Sequence, residues 1–204
     1  MNRFVIIALA GVMFLSCIGT ESTMKLNENG SGNLVFQYRI SQMFKSLGDS
    51  DGEGEKENEA PFPISKEEVE KSLKELEGVK INSVEEWEDE QDVYVKMDID
   101  FTNVESLSKA SMFENMPITL TTEGGRTVYT QLISKGDEPA DPESVTAMES
   151  YFAGYELSML ITAPKQIIAH NRGELSNGSR TVKFSISMID FMQINEKTEL
   201  IISW

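Results

Sequence analysis

Cysteine and histidine are almost missing from this chain of 204 residues: there is one of each, Cys17 and His170. A lone thiol excludes an internal disulfide and any cysteine-based zinc site. A lone imidazole leaves little from which to build a Ser-His-Asp triad. Positive charge is scarce too. Lys and Arg number 18 against 34 Asp and Glu, a formal net charge of −16. So acidic a chain is repelled by phosphate backbones, which argues against nucleic-acid binding. Beyond Cys17 no apolar run approaches the roughly 18 residues of a membrane-crossing helix. No solenoid-type repeat occurs. The glycine clusters Gly30-Ser31-Gly32 and Gly124-Gly125 sit between strand-like segments and open no helix, so they are hairpin turns, and no cofactor motif is found. What is present, 40% hydrophobic and 25% charged residues, is the composition of one folded domain with appendages.

The N-terminus carries an address. Arg3 precedes an apolar run from Phe4 to Leu15, and Ser16 stands directly before Cys17. A dozen apolar residues is too short to span about 30 Å of hydrocarbon. Phe14-Leu15-Ser16-Cys17 resembles a bacterial lipoprotein signal of the relaxed kind familiar in spirochaetes. The resemblance implies that residues 1–16 are a signal peptide and that Cys17 carries diacylglycerol and acyl chains, palmitate among them, because several chains anchor far more firmly than one. The product would be held by this lipid at the cell membrane or outer membrane, facing the periplasm or the exterior. The residues also admit an ordinary cleaved signal with a spare thiol, or an uncleaved anchor. Residues 17–23 read as a lipidated tether, since Ile18 to Thr23 are mostly small and polar.

The remainder, 24–204, reads as a single α+β domain. Met24–Leu26 and Leu34–Ile40 flank Asn29-Gly30-Ser31-Gly32 as a hairpin, with Leu34, Phe36, Tyr38 and Ile40 on the buried face. Residues 48–60 form an acidic loop with almost nothing to bury, expected to be mobile. Ser65-Lys66-Glu67-Glu68 is a capping box that opens a helix, with Val69, Leu73 and Leu76 as its core stripe and Gly78 as its C′ residue. Val79–Trp87 and Val93–Phe101 are strands, the second alternating strictly. Asn103 caps a short helix. Ile118–Thr122 and Thr127–Ile133 flank Glu123-Gly124-Gly125-Arg126 as another hairpin. Asp141-Pro142-Glu143 starts a helix whose apolar face is Val145, Met148, Tyr151 and Phe152. Tyr155–Thr162, Gln166–His170, Thr181–Ser187 and Glu199–Ser203 are strand candidates, with Asn177-Gly178 turning between the middle two. Hairpins with two or three intervening helices predict an antiparallel sheet and exclude alternating βαβ units.

Several of these segments are similar to the LppM-type domain of bacterial lipoproteins. The residues concerned are Asn29-Gly30-Ser31-Gly32 with Leu34-Val35-Phe36, and the late block Ala163-Pro164, Ile167-Ile168, Asn171, Asn177-Gly178 and Thr181-Val182-Lys183-Phe184. The resemblance implies a curved sheet embracing a helix, similar to small lipid-binding folds, and it implies no catalytic residues.

Candidate chemistry is sparse. From Asp49, an EF-hand frame places Asp49, Asp51 and Glu53 at positions 1, 3 and 5 and Gly54 at position 6. Ala60 falls where the bidentate Glu belongs, so these three are weak metal candidates within a solvated loop. The cluster Glu85, Glu86, Glu88, Asp89, Glu90 and Asp92 around Trp87 reads as a charged turn that keeps a sheet edge soluble, or as a contact for a basic partner. Asp98 and Asp100 share one strand face as paired carboxylates do, and equally as any wet strand face does. His170 reads as a polar strand end. Eleven Met residues, many beside Phe, suit an irregular apolar cavity as well as they suit plain core packing; Met148, Phe152, Met159 and Met188 are the candidate lining. Together these observations point to a non-catalytic domain that binds an apolar or lipid-like ligand or another envelope component. The alternative is a surface protein whose acidic patches engage a basic partner.

Overall fold

The computed structural model describes residues 18–42, 63, 65–136, 145–146, 149, 152–176 and 178–204. The first hairpin joins β1 (Ile18–Leu26) to β2 (Gly32–Ser41) in antiparallel register, Met24 opposite Leu34. Gly30 turns the chain at φ +81°, and Gly32 lets β2 pass close to β1. A Cβ there would collide with the Lys25 carbonyl and stand 2.6 Å from Phe101 Cζ. On β2 the buried residues alternate as expected: Leu34, Phe36, Tyr38 and Ile40 face the core.

β1 is longer than its composition indicates. Ile18–Thr23, expected to serve as a tether, form two thirds of the strand. They pair with Val35–Ile40 of β2, and from Thr20 onward also with β7 (Glu156–Thr162). Their polar side chains hid the pattern, because neighbouring strands supply the hydrogen bonds that hold the segment. Residues 18–23 therefore belong to the folded sheet.

Helix α1 (Lys66–Lys74) starts at the expected capping box. Glu68 N–H donates to Ser65 Oγ, and the Ser65 N–H to Glu68 Oε2. Val69 and Leu73 are fully buried and Leu76 packs partly against the same core. The helix closes on Glu75, three residues before Gly78. Gly78, at φ +83°, instead turns the chain into β3 (Val79–Glu88). β3 pairs with β4 (Asp92–Phe101), which pairs with β2. Asn103 caps α2 (Val104–Leu107), a 3-10 turn follows at Ser111–Phe113, and the hairpin β5 (Ile118–Glu123) and β6 (Arg126–Ser134) forms around Gly124-Gly125.

After β7 come β8 (Ala169–His170), β9 (Glu174–Ser176), β10 (Thr181–Ser187), α3 (Met188–Met192) and β11 (Thr198–Ser203). Of the strand expected at Gln166–His170 only the last two residues pair, and they pair with β11. The turn through Gly178 thus joins β10 to β9, which lies next to it. Of the helix expected from Asp141, only Val145, Thr146, Glu149 and Phe152 are described, all in helical backbone.

The strands form an unclosed α+β arrangement of two sheets, in the orders β3-β4-β2-β1-β7-β10-β9 and β5-β6-β11-β8. Every pairing is antiparallel except β1 with β7, which is parallel. One continuous core joins them, from Phe36, Met97 and Ile161 of the larger sheet to Tyr129, Leu200 and Ile202 of the smaller. Among the described residues, Thr20 is a discordant neighbour of this core. Its side chain is 7% exposed and its hydroxyl finds no hydrogen-bond partner.

Candidate functional site

The signal peptide 1–16, Cys17, the acidic loop 48–60 with Asp49, Asp51 and Glu53, and Met148 lie outside the described residues. Among the described residues no three His, Cys, Asp or Glu side chains gather to hold a metal ion, and no helix is long and apolar enough to cross a membrane. Phe152, Met159 and Met188 are buried in the common core. Met159 faces Phe184 across the β7–β10 pair. Phe152 and Met188 are linked through Tyr155, whose N–H donates to the Phe152 carbonyl and whose carbonyl accepts from the Met188 N–H.

Among the described residues, one cavity lies beside that group. It is a half-open cleft of about 250 Å³ between β10 and the segment leading into β11, lined by Arg172, Phe184, Ser185, Ile186, Ile194, Asn195, Glu196 and Thr198. Phe184 and Ile186 belong to the inner row of β10, so they give the cleft an apolar floor that Ile194 extends. Arg172, Asn195 and Glu196 come from connecting segments and give it a charged and amide-bearing rim. Ile186 is opposite Leu157, which is opposite Thr20. The partnerless hydroxyl therefore lies in the same cross-strand row as the floor. Sequence patterning could not find this cleft, because its rim is assembled from loops brought together by the pairing of β8 with β11 and of β9 with β10.

A second feature crosses the outer face of the larger sheet. Trp87, Tyr94, Arg39 and Gly19 are successive cross-strand partners on β3, β4, β2 and β1. The indole of Trp87 stacks on the Tyr94 ring at 5.1 Å with 2° between planes. The Arg39 guanidinium lies 4.3 Å over the Tyr155 ring, and Gly19 leaves the room, since a Cβ there would come 3.3 Å from the Tyr155 ring. The row is fixed at both ends. The Tyr94 hydroxyl donates to Asp89 Oδ2 at 2.9 Å, and Asp89 Oδ1 accepts from the Gln91 and Asp92 N–H groups. Those backbone bonds first, and the Tyr94 hydroxyl next, hold the Asp89 carboxyl below its usual range. Arg39 donates to Asp92 Oδ2 at 3.4 Å and to the Gly154 carbonyl, and Asp92 also receives the Tyr155 hydroxyl. Burial first, then that bond, pushes the Tyr155 phenol well above its usual range.

The acidic cluster is thus not one patch. Glu86 accepts from the Lys66 N–H at the start of α1, where a carboxylate meets the positive end of the helix. Asp89 organises a turn and Asp92 is buried, while Glu85, Glu88 and Glu90 are exposed around Trp87. Asp98 and Asp100 are also committed. The Asn33 amide donates to both, at 2.7 and 3.0 Å, and Asn82 to Asp98. The Asn33 amide lowers the Asp100 carboxyl below its usual range, with Asn82 second. His170 ends β8 exposed, with Nδ1 3.1 Å from the Arg172 carbonyl.

No protein-family profile and no curated protein sequence matches this chain. Among solved structures, the folded domain of the Mycobacterium tuberculosis LppM protein, determined by NMR, is similar at 7% identity, covering 92% of this chain and 88% of that one with a TM-score of 0.49.

Proposed function

We propose that this chain is a lipid-anchored domain of a bacterial envelope that binds an apolar, lipid-like ligand without transforming it. The cleft between β10 and the approach to β11 carries the ligand reading. An apolar floor of Phe184, Ile186 and Ile194 favours hydrocarbon, at about 0.8 kcal/mol per buried CH₂, and the Arg172, Asn195 and Glu196 rim offers partners for a polar head. At about 250 Å³ it falls just below the roughly 300–1,000 Å³ of pockets that enclose a drug-sized molecule. It suits the end of one acyl chain or a small amphiphile. The anchor reading rests on Phe14-Leu15-Ser16-Cys17.

The ligand is tested with the full-length chain carrying Cys17→Ala, by native mass spectrometry after gentle purification and by titration with a dansyl-labelled fatty acid. Saturable binding that Ile194→Trp weakens by filling the cleft supports the reading. A protein that carries nothing and leaves the probe unbound ends it. The anchor is tested separately by palmitate labelling, which Cys17→Ala should abolish and which equal labelling of both chains would disprove.

A further inference from the structure

The geometry points to the outer edge of β3, centred on Trp87, as a docking site for an extended, basic segment of another protein that adds a strand to the sheet. This surface is separate from the cleft. β3 is the outermost strand of the larger sheet, and its ladder is regular from Ser83 to Glu88, past the irregularity between Ile81 and Ser83. Bulges and charge are the usual protection of such an edge, but an outward-facing Trp is not among those devices. Trp87 is 41% exposed, one of three large apolar residues so exposed among those described, with Ile168 and Leu175.

The row of flat groups supplies the chemistry. Cross-strand neighbours recur about every 4.8 Å, and Trp87 and Tyr94 stack at 5.1 Å, so the row keeps step with the sheet. Its inner end already shows what an aromatic ring accepts here, a guanidinium at 4.3 Å from the Tyr155 centroid. A strand laid beside β3 would place its own side chain at the next step of the row, against the face of the indole turned away from Tyr94. An Arg or Lys there gains a cation–π contact with the indole, the best of the aromatic acceptors. The same-face neighbour of Trp87 on β3 is Glu85, acidic and exposed, while Asp89 lies just past the strand's end and is held in the turn. Glu85 would face the position two residues from that Arg in the incoming strand, which favours a second basic residue at that alternate position. A net charge of −16 steers such a segment towards the protein. The Tyr94–Asp89 bond and the Asp89 turn hold the platform before the partner arrives, so little side-chain freedom is lost on docking.

The full-length chain carrying Cys17→Ala is titrated with a fluorescein-labelled peptide of alternating Arg and Val, followed by anisotropy, and with the matching Gln and Val peptide. The Arg peptide should bind, slow amide exchange within Val84–Glu88, and weaken in higher salt. Trp87→Ala should cost about three- to fivefold in affinity, as an exposed cation–π contact does. Trp87→Phe should keep part of it, and Glu85→Gln should weaken it without touching the stack. Near-ultraviolet circular dichroism from buried Trp204 confirms that each variant is folded. Equal binding of the Gln peptide, or an affinity indifferent to Trp87→Ala, overturns the proposal. So does protection that falls on another strand, or tetramethylammonium competing as strongly as the peptide, which would make the site one for a lone cation.

Discussion

Tyr155 donates its hydroxyl to Asp92 across 63 residues of sequence, and both groups are buried. The bond ties the segment entering β7 to the β3–β4 turn. Arg39 completes the knot by contacting the carboxylate of one and the ring of the other. Tyr155→Phe leaves the ring under Arg39 but strips Asp92 of a donor. Leaving a buried acceptor short costs about 1–3 kcal/mol, and urea unfolding should show a loss of that size with an unchanged slope. A loss of a few tenths would mean that Arg39 alone satisfies Asp92.

Gly32 should tolerate no side chain. Its Cβ would meet backbone at Lys25, which cannot swing aside. Gly32→Ala should therefore destabilise by about 1–3 kcal/mol, the usual range for overpacking, measured by thermal unfolding.

Thr20→Val should go the other way. The substitution keeps the shape and removes a hydroxyl that the core desolvates and does not pair, so stability should rise by about 1 kcal/mol. If a ligand in the neighbouring cleft reaches this row, the same variant will bind the fatty-acid probe less tightly. The two readouts then move in opposite directions.

Acid should loosen the β3–β4 turn. The Asp89 carboxyl sits lower in the folded chain than in the unfolded one. Its contribution is therefore complete above the ordinary Asp value, about 3.9, and is lost as pH falls through the lowered folded value. Amide protection at Gln91 and Asp92 should fall in that acid window, together with a change in Trp87 emission. Asp89→Asn can still accept through its amide oxygen, and its turn should respond far less to pH. Identical acid profiles for the two chains would show that another group controls the turn.

Much of this architecture was legible because local rules and tertiary demands agree. The strict alternation of Val93 to Phe101 and the Ser65–Glu68 box each announce one element, and each element is there. β1 escaped because Thr20 and Ser22 occupy inward positions that patterning expects to be apolar. β9 is three exposed residues that form a strand only because Thr181–Lys183 lies beside them. α3 is a five-residue helix at the end of β10 and left a trace in Ser187-Met188-Ile189-Asp190, whose Ser187 Oγ accepts from the Asp190 N–H. The outer-face row was half legible. Each strand's solvent face could be read from its period of two, but the alignment of Trp87, Tyr94, Arg39 and Gly19 depends on register, which sequence spacing does not fix. The cleft was not legible at all, because it belongs to no single element.

The parallel contact of β1 with β7 sets an order of events in the living cell. More than 120 residues separate the two strands, and a contact so distant in sequence is slow to form. A chain emerging from a ribosome can build the β1–β2–β4–β3 side early. The inner flank of β1 must then wait, open, until the last quarter of the polypeptide arrives. During that interval the nascent protein exposes a strand seeking company, so a chaperone that shields it should govern its yield more than the stability of the finished fold does.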